Sequence, residues 1–121
     1  MQTTTFQAAQ TAIQQEKLVL LYLSMPNCSV CHAVKPRVAT LFHDADFPVL
    51  HLDAADYPEV AGTFQVMTAP AILVFFQGKE VHRQARFIDF RKLATTIEDY
   101  QAFDSTLSYE ELFNKKDSSS K

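Results

Sequence analysis

The 121-residue sequence holds two cysteines, three positions apart, in the string Cys28-Ser29-Val30-Cys31-His32. Three chemistries use this spacing. A CxxC pair is the pattern of a redox dithiol, it can form half of a zinc site, and with the following histidine it matches CxxCH, the attachment signature of a c-type haem. Haem needs a distal ligand and export to an oxidising compartment. Met67 offers a ligand, but strand-like runs surround the motif, unlike the mainly helical small cytochromes. A structural zinc site takes four ligands. With no further cysteine, two of His32, His43, His51 and His82 would have to converge, and none shows paired Hx3–5H spacing. His43, His51 and His82 read instead as surface or partly buried polar positions. The dithiol reading explains most. At a helix N-terminus, free backbone N–H groups and the helix dipole stabilise a Cys28 thiolate. Cys31 lies nearly on the same helix face, so its sulfur can reach Cys28. Cys28, at the mouth of the turn, then attacks, and Cys31, one turn deeper, resolves the mixed disulfide.

Such a pair needs a strand to deliver it and a helix to receive it. Leu18–Leu23 (LVLLYL) is apolar on both faces, as a central strand covered by helices would be, and Pro26-Asn27 ends it. Residues 28–43 fit a helix with an apolar stripe of Val30, Val34, Val38, Leu41 and Phe42, interrupted by Pro36, which should kink it. Residues 3–16 read as a preceding helix, with Phe6, Ala9 and Ile13 on one face. Val49–Leu52 is a second strand and Tyr57–Gly62 a short helix with Gly62 as its stop. Ala71–Phe76 is a third strand, Gln77-Gly78-Lys79 a turn, and Glu80–Phe87 a more polar edge strand. Phe90, Leu93, Ala94 and Ile97 predict an amphipathic helix over 88–100. The order α-β-α-β-α-β-β-α implies an α/β fold: a mixed central sheet, parallel at its first crossover, with helices on both faces. Residues 1–100 form one domain. Residues 101–121 read as an extension, with a short helix after the capping box Ser108–Glu111 and then a disordered polar tail.

The composition, 47% hydrophobic with a net charge of -3, is that of a globular domain and gives no reason to expect nucleic acid or anionic membrane as a partner. No apolar run approaches the roughly 18 residues of a membrane span. The N-terminus lacks the basic and apolar regions of a secretory signal, which implies a cytoplasmic protein. In a reducing compartment, paired cysteines are catalytic or metal-binding more often than structural.

Together these features resemble the thioredoxin family over about residues 6–100. LVLLYL leads into PNCSVC, Pro36 follows the second cysteine by five residues, VLHLD ends in Asp53, and GTFQVMTAP places Pro70 before AILVFFQGKEV. The resemblance implies a thioredoxin-like fold in which Pro70, after a cis peptide bond, faces the CxxC. It also implies that Asn27, Thr68, Ala69 and Pro70 bind an extended substrate segment, with Cys28 and Cys31 as the redox-active disulfide. The implied activity is that of a protein disulfide reductase with no tightly bound cofactor and no metal. It would act as a monomer on disulfide-containing proteins and be recharged by a flavoprotein thioredoxin reductase.

The sequence departs from the family at several of these positions. Asn27 replaces the usual tryptophan, and Ser29-Val30 the usual Gly-Pro. Tyr22 stands at the buried acid six residues before the first cysteine, and Val49 at its lysine partner. Two family glycines near the substrate surface are Thr68 and Arg86, where side chains would narrow the range of clients or add a charge contact. Without the acid, Cys31 needs another base. His32, with a reference pKa near 6.5, is a candidate modulator that could serve there or stabilise the Cys28 thiolate. The same departures suit an alternative of another class, a dedicated accessory protein that docks one partner with little reductase turnover. A further alternative keeps the chemistry but runs it as an oxidant or isomerase.

Overall fold

The computed structural model describes residues 1–116, with side chains through Phe103. Five strands form one mixed sheet in the order β1-β3-β2-β4-β5. Strand β2 (Leu18–Ser24) is central, with all seven residues buried. Strand β3 (Val49–Asp53) lies parallel to it, and β4 (Ala71–Phe76) antiparallel on its other side. Strand β5 (Lys79–Ala85) closes one edge against β4, with a register irregularity at Val74/Phe75. The two-residue β1 (Gln2–Thr3) closes the other against β3.

Side chains alternate across a strand, so the sheet builds two cores. Val19, Leu21, Leu23, Leu50, Leu52, Leu73 and Phe75 face helix α1 (Phe6–Gln15) and helix α3 (Glu59–Phe64). Leu18, Leu20, Tyr22, Val49, Ile72, Val74 and Phe76 face helix α2 (Ser29–Leu41) and helix α4 (Phe90–Lys116). Each fully buried Leu or Ile contributes roughly 1.5–3 kcal/mol. The expected mixed sheet with helices on both faces is present.

Local readings differ from the sequence expectation in four places. Strand β1 stands where a helix from residue 3 was expected. Thr5 accepts a hydrogen bond from the Ala8 N–H at 3.1 Å and so starts α1 only at Phe6. Helix α3 runs through Gly62 and stops at Gln65, which takes the left-handed conformation at φ 54°. On α2, Val34 and Val38 are buried, but Val30 and Leu41 of the expected stripe are 45% and 43% exposed. Cys31 fills the inward position instead. Helix α4 continues unbroken past residue 100 and through Ser108–Glu111, where a separate short helix was expected. No glycine or proline interrupts residues 88–116. Of the disordered tail expected over residues 114–121, residues 114–116 belong to α4, and residues 117–121 lie outside the described residues. Among the described residues no helix is long and apolar enough to cross a membrane.

Candidate active site

Strand β2 ends at Ser24, and the chain turns through Asn27 into α2. Asn27 has φ 63°, a left-handed conformation that asparagine tolerates better than most residues. Cys28 is the N-cap of α2: its Sγ accepts the Cys31 N–H at 3.1 Å, and its carbonyl accepts the His32 N–H at 3.2 Å. The two sulfurs are bonded as a disulfide, with Cα atoms 5.2 Å apart. Cys28 is partly exposed, whereas Cys31 is only 4% exposed. An incoming thiolate or disulfide therefore reaches Cys28 first.

The Ala69–Pro70 peptide bond is cis. Pro70 is buried and opens β4, whose Ala71 pairs with Leu23 near the end of β2. Thr68 and Ala69 line a cleft of about 280 Å³ together with Met25, Met67, Leu23 and Pro58. The cleft thus joins the segment before Pro70 to the turn that carries Cys28. His32 sits exposed on the first turn of α2.

A polar cluster under α2 was not foreseen from the sequence. Tyr22, fully buried, donates its phenol O–H to the Cys31 carbonyl at 2.9 Å. Burial pushes the Tyr22 pKa up to about 12, so the phenol stays protonated and cannot serve as a base near neutrality. The His51 ring lies 5.5 Å from the Tyr22 ring. Its Nε2 is 2.7 Å from Ser24 Oγ and its Nδ1 is 3.0 Å from Thr3 Oγ1. His51 is 7% exposed, a buried and partnered side chain where a surface or partly buried position was expected. Burial lowers its pKa, as does the nearby charge of Lys35, while Asp53 pulls the other way. The overlooked signal was parity. In VLHLD, His51 shares a phase with Val49, the residue that faces α2.

Arg83 is a second residue the sequence did not single out. It forms an ion pair with Glu80 at 2.7 Å and donates to the carbonyls of Phe64 and Gln65, which α3 leaves without helical partners. The Arg83 guanidinium holds the Glu80 carboxyl below its usual range. His82 is 2.9 Å from Gln84 Nε2, and burial, then Lys92, lowers its pKa. Among the described residues no three His, Cys, Asp or Glu side chains group to hold a metal.

Fold and site together define a protein that carries a dithiol–disulfide couple at the end of a thioredoxin-like sheet. The thioredoxin family model matches residues 1–99, and the chain belongs to that family. Among curated relatives, it is 43% identical over 84 residues to the thioredoxin-like protein YdfQ of Bacillus subtilis, an alignment covering 67% of this chain and 73% of that one. It is 32% identical over 75 residues to a thioredoxin of Staphylococcus saprophyticus, covering 60% and 72%. Among solved structures, a point-mutant thioredoxin from Halobacterium salinarum superposes with a TM-score of 0.73 at 22% identity, covering 83% of this chain and 88% of that one. Thioredoxin f2 of Chlamydomonas reinhardtii gives 0.73 at 15% identity, covering 84% and 96%. These two structures support the fold alone. Family and cysteine pair together make the protein, in general terms, a thiol–disulfide oxidoreductase.

Proposed function

We propose that the protein is a cytoplasmic protein disulfide reductase. The observation that carries this reading is the asymmetry of the pair: Cys28 is accessible at the N-cap of α2, and Cys31 is covered. In the reduced protein the Cys28 thiolate, favoured by the α2 N-terminus, attacks one sulfur of a client disulfide. The client S–S bond breaks and one client sulfur leaves as a thiolate. Cys31 then gives up its proton and attacks the Cys28 sulfur of the mixed disulfide. The second client thiolate leaves and takes up a proton, and Cys28–Cys31 is left oxidised. The client has gained two electrons and the protein has lost two.

Asn27, Thr68, Ala69 and Pro70 would hold the client's extended segment. The cleft that Thr68 and Ala69 share with Met25 supports this assignment. His32, exposed beside Cys28, would tune the thiolate. Its test is His32→Ala, which should shift the Cys28 pKa and slow exchange. A flavoprotein thioredoxin reductase would return the electrons, and the domain itself would need no bound cofactor. These assignments rest on the family's chemistry and the placement of the residues.

Equilibration of the Cys28–Cys31 pair against graded dithiothreitol buffers, with thiols counted by alkylation, tests the reading. A potential near about -270 mV is expected of a reductase. A value of about -180 to -120 mV would reassign the protein as an isomerase or oxidant. Cys28→Ser should abolish turnover. A variant that kept full function would instead mark a docking protein.

A further inference from the structure

Among the described residues, four non-glycines adopt positive φ: Asn27, Gln65, Gln77 and Arg86. Three have a plain local reason. Asn27 turns β2 into α2, Gln65 ends α3, and Gln77 opens the two-residue turn between β4 and β5. Arg86, at φ 69°, ends β5 and donates its N–H to the Pro70 carbonyl at 2.7 Å. The left-handed region is one that glycine enters most easily. A long cationic side chain stands there instead. Bulky residues held in this region at an exposed site point to a use for the side chain.

Its neighbour shows what an arginine with a structural task looks like. Arg83 spends its donors on Glu80 and on the last carbonyls of α3. Arg86 is exposed, and among the described residues no carboxylate pairs with it. Its guanidinium sits 5.8 Å from the ring of Phe87, itself 82% exposed.

The sheet fixes where this cation stands. Strands β2 and β4 are antiparallel, as are β4 and β5. The end of β2, the start of β4 and the end of β5 therefore share one end of the sheet, the end from which the chain runs to Cys28. Arg86 lies two strand spacings from β2, about 10 Å. An extended client covers that distance in about three residues.

We propose that Arg86 is a specificity-determining residue that selects clients carrying Asp or Glu within about three residues of the target cysteine. The proposal rests on the thiol–disulfide reading above and adds the chemistry of the client to it. The carboxylate would meet the guanidinium at the rim while the client cysteine reaches Cys28.

The test uses the reduced full-length protein and two synthetic peptide disulfides. Each is a symmetric dimer through one central cysteine, flanked on both sides by glutamates in one peptide and glutamines in the other. Rates are normalised to the reaction of each peptide with dithiothreitol, which removes differences in intrinsic sulfur reactivity. The wild-type protein should prefer the glutamate peptide by up to about fivefold, or about 1 kcal/mol, the upper range of an exposed ion pair. The preference should shrink in about 0.5 M salt as the screening length falls. Arg86→Gln should lose it, with equal normalised rates on the two peptides, and Arg86→Glu should reverse it. Equal normalised rates for wild type, or a preference that survives in Arg86→Gln, overturns the proposal. If dithiothreitol reduces both peptides and the protein reduces neither, the thiol–disulfide reading itself falls, and the role of Arg86 with it.

Discussion

The two faces of the sheet are built from the same strands and filled by different rules. The face under α1 and α3 is apolar from end to end: Val19, Leu21 and Leu23 of β2 meet Leu50 and Leu52 of β3 and Leu73 and Phe75 of β4. The face under α2 and α4 begins the same way, with Leu18, Leu20, Val49, Val74 and Phe76. It then turns polar where the first turn of α2 crosses it, at Tyr22, Ser24 and His51. Every one of those polar groups has a partner, as burial demands. One face only holds the sheet together. The other also grips the turn that carries the disulfide, through the hydrogen bond from Tyr22 to the Cys31 carbonyl, while Ser24, His51 and Thr3 bond one another across β2, β3 and β1.

This contrast can be broken at several points. The largest effect should come from Leu21→Ala, which opens a cavity in the fully apolar core. A loss of about 2–5 kcal/mol is expected in urea unfolding, with the Cys28–Cys31 potential unmoved. A shift in potential as large as that of the Tyr22 variant below would show that the faces do not divide packing from chemistry.

Next in size is His51→Gln, which disturbs the hydroxyls of Ser24 and Thr3 and should cost about 1–3 kcal/mol. It should also change the pH dependence. Folded His51 and His82 both bind a proton less readily than the unfolded chain, whose histidines titrate near about 6.5. Stability is therefore complete above that pH and falls as acidification proceeds toward the lower folded values. Denaturation midpoints measured between about pH 5 and 8 should flatten in His51→Gln, keeping only the His82 share.

Tyr22→Phe keeps the ring and removes one bond to the Cys31 carbonyl, for about 1 kcal/mol. This small loss should come with a measurable change in the Cys28–Cys31 potential, the reverse of the pattern at Leu21. Smallest is Gly62→Ala on α3. A Cβ there meets nothing within 4 Å. Replacing glycine inside a helix should add about 0.5–1 kcal/mol, visible as a rise in thermal midpoint with exchange kinetics unaltered.

What the sequence disclosed follows the range of the forces involved. LVLLYL, VLHL and AILVFF announce strands because their burial is written into every residue, and Pro26-Asn27 marks where the chain turns toward Cys28. The places that misled depend on distant partners. Gln2 and Thr3 form a strand because β3 lies beside them, not through any local preference. Gly62 looked like a helix stop, but Gln65 accepts the left-handed turn and Arg83, from β5, holds the carbonyls left over. The stripe on α2 mixed true core positions, Val34 and Val38, with Val30 and Leu41, because Cys31 took the inward place. His51 reads as a surface or partly buried position because a single histidine does not reveal that Ser24 and Thr3 stand beside both ring nitrogens.

The edges of the sheet carry a consequence for how copies of this protein meet. An open edge offers unpaired N–H and C=O groups to any passing strand and invites aggregation. On one side β5 breaks its ladder at Val74/Phe75 and carries Lys79 and Arg83. On the other, among the described residues, the guard is Gln2 and Thr3, pinned to β3 by register with Leu50 and His51, by the Thr3–His51 bond and by the Thr4 N–H, which donates to the His51 carbonyl at 3.0 Å. Peeling away those two residues would uncover a parallel strand made of Val49, Leu50 and Leu52. A modification that pulls the first residues off the sheet should therefore make this domain self-associate well before it unfolds.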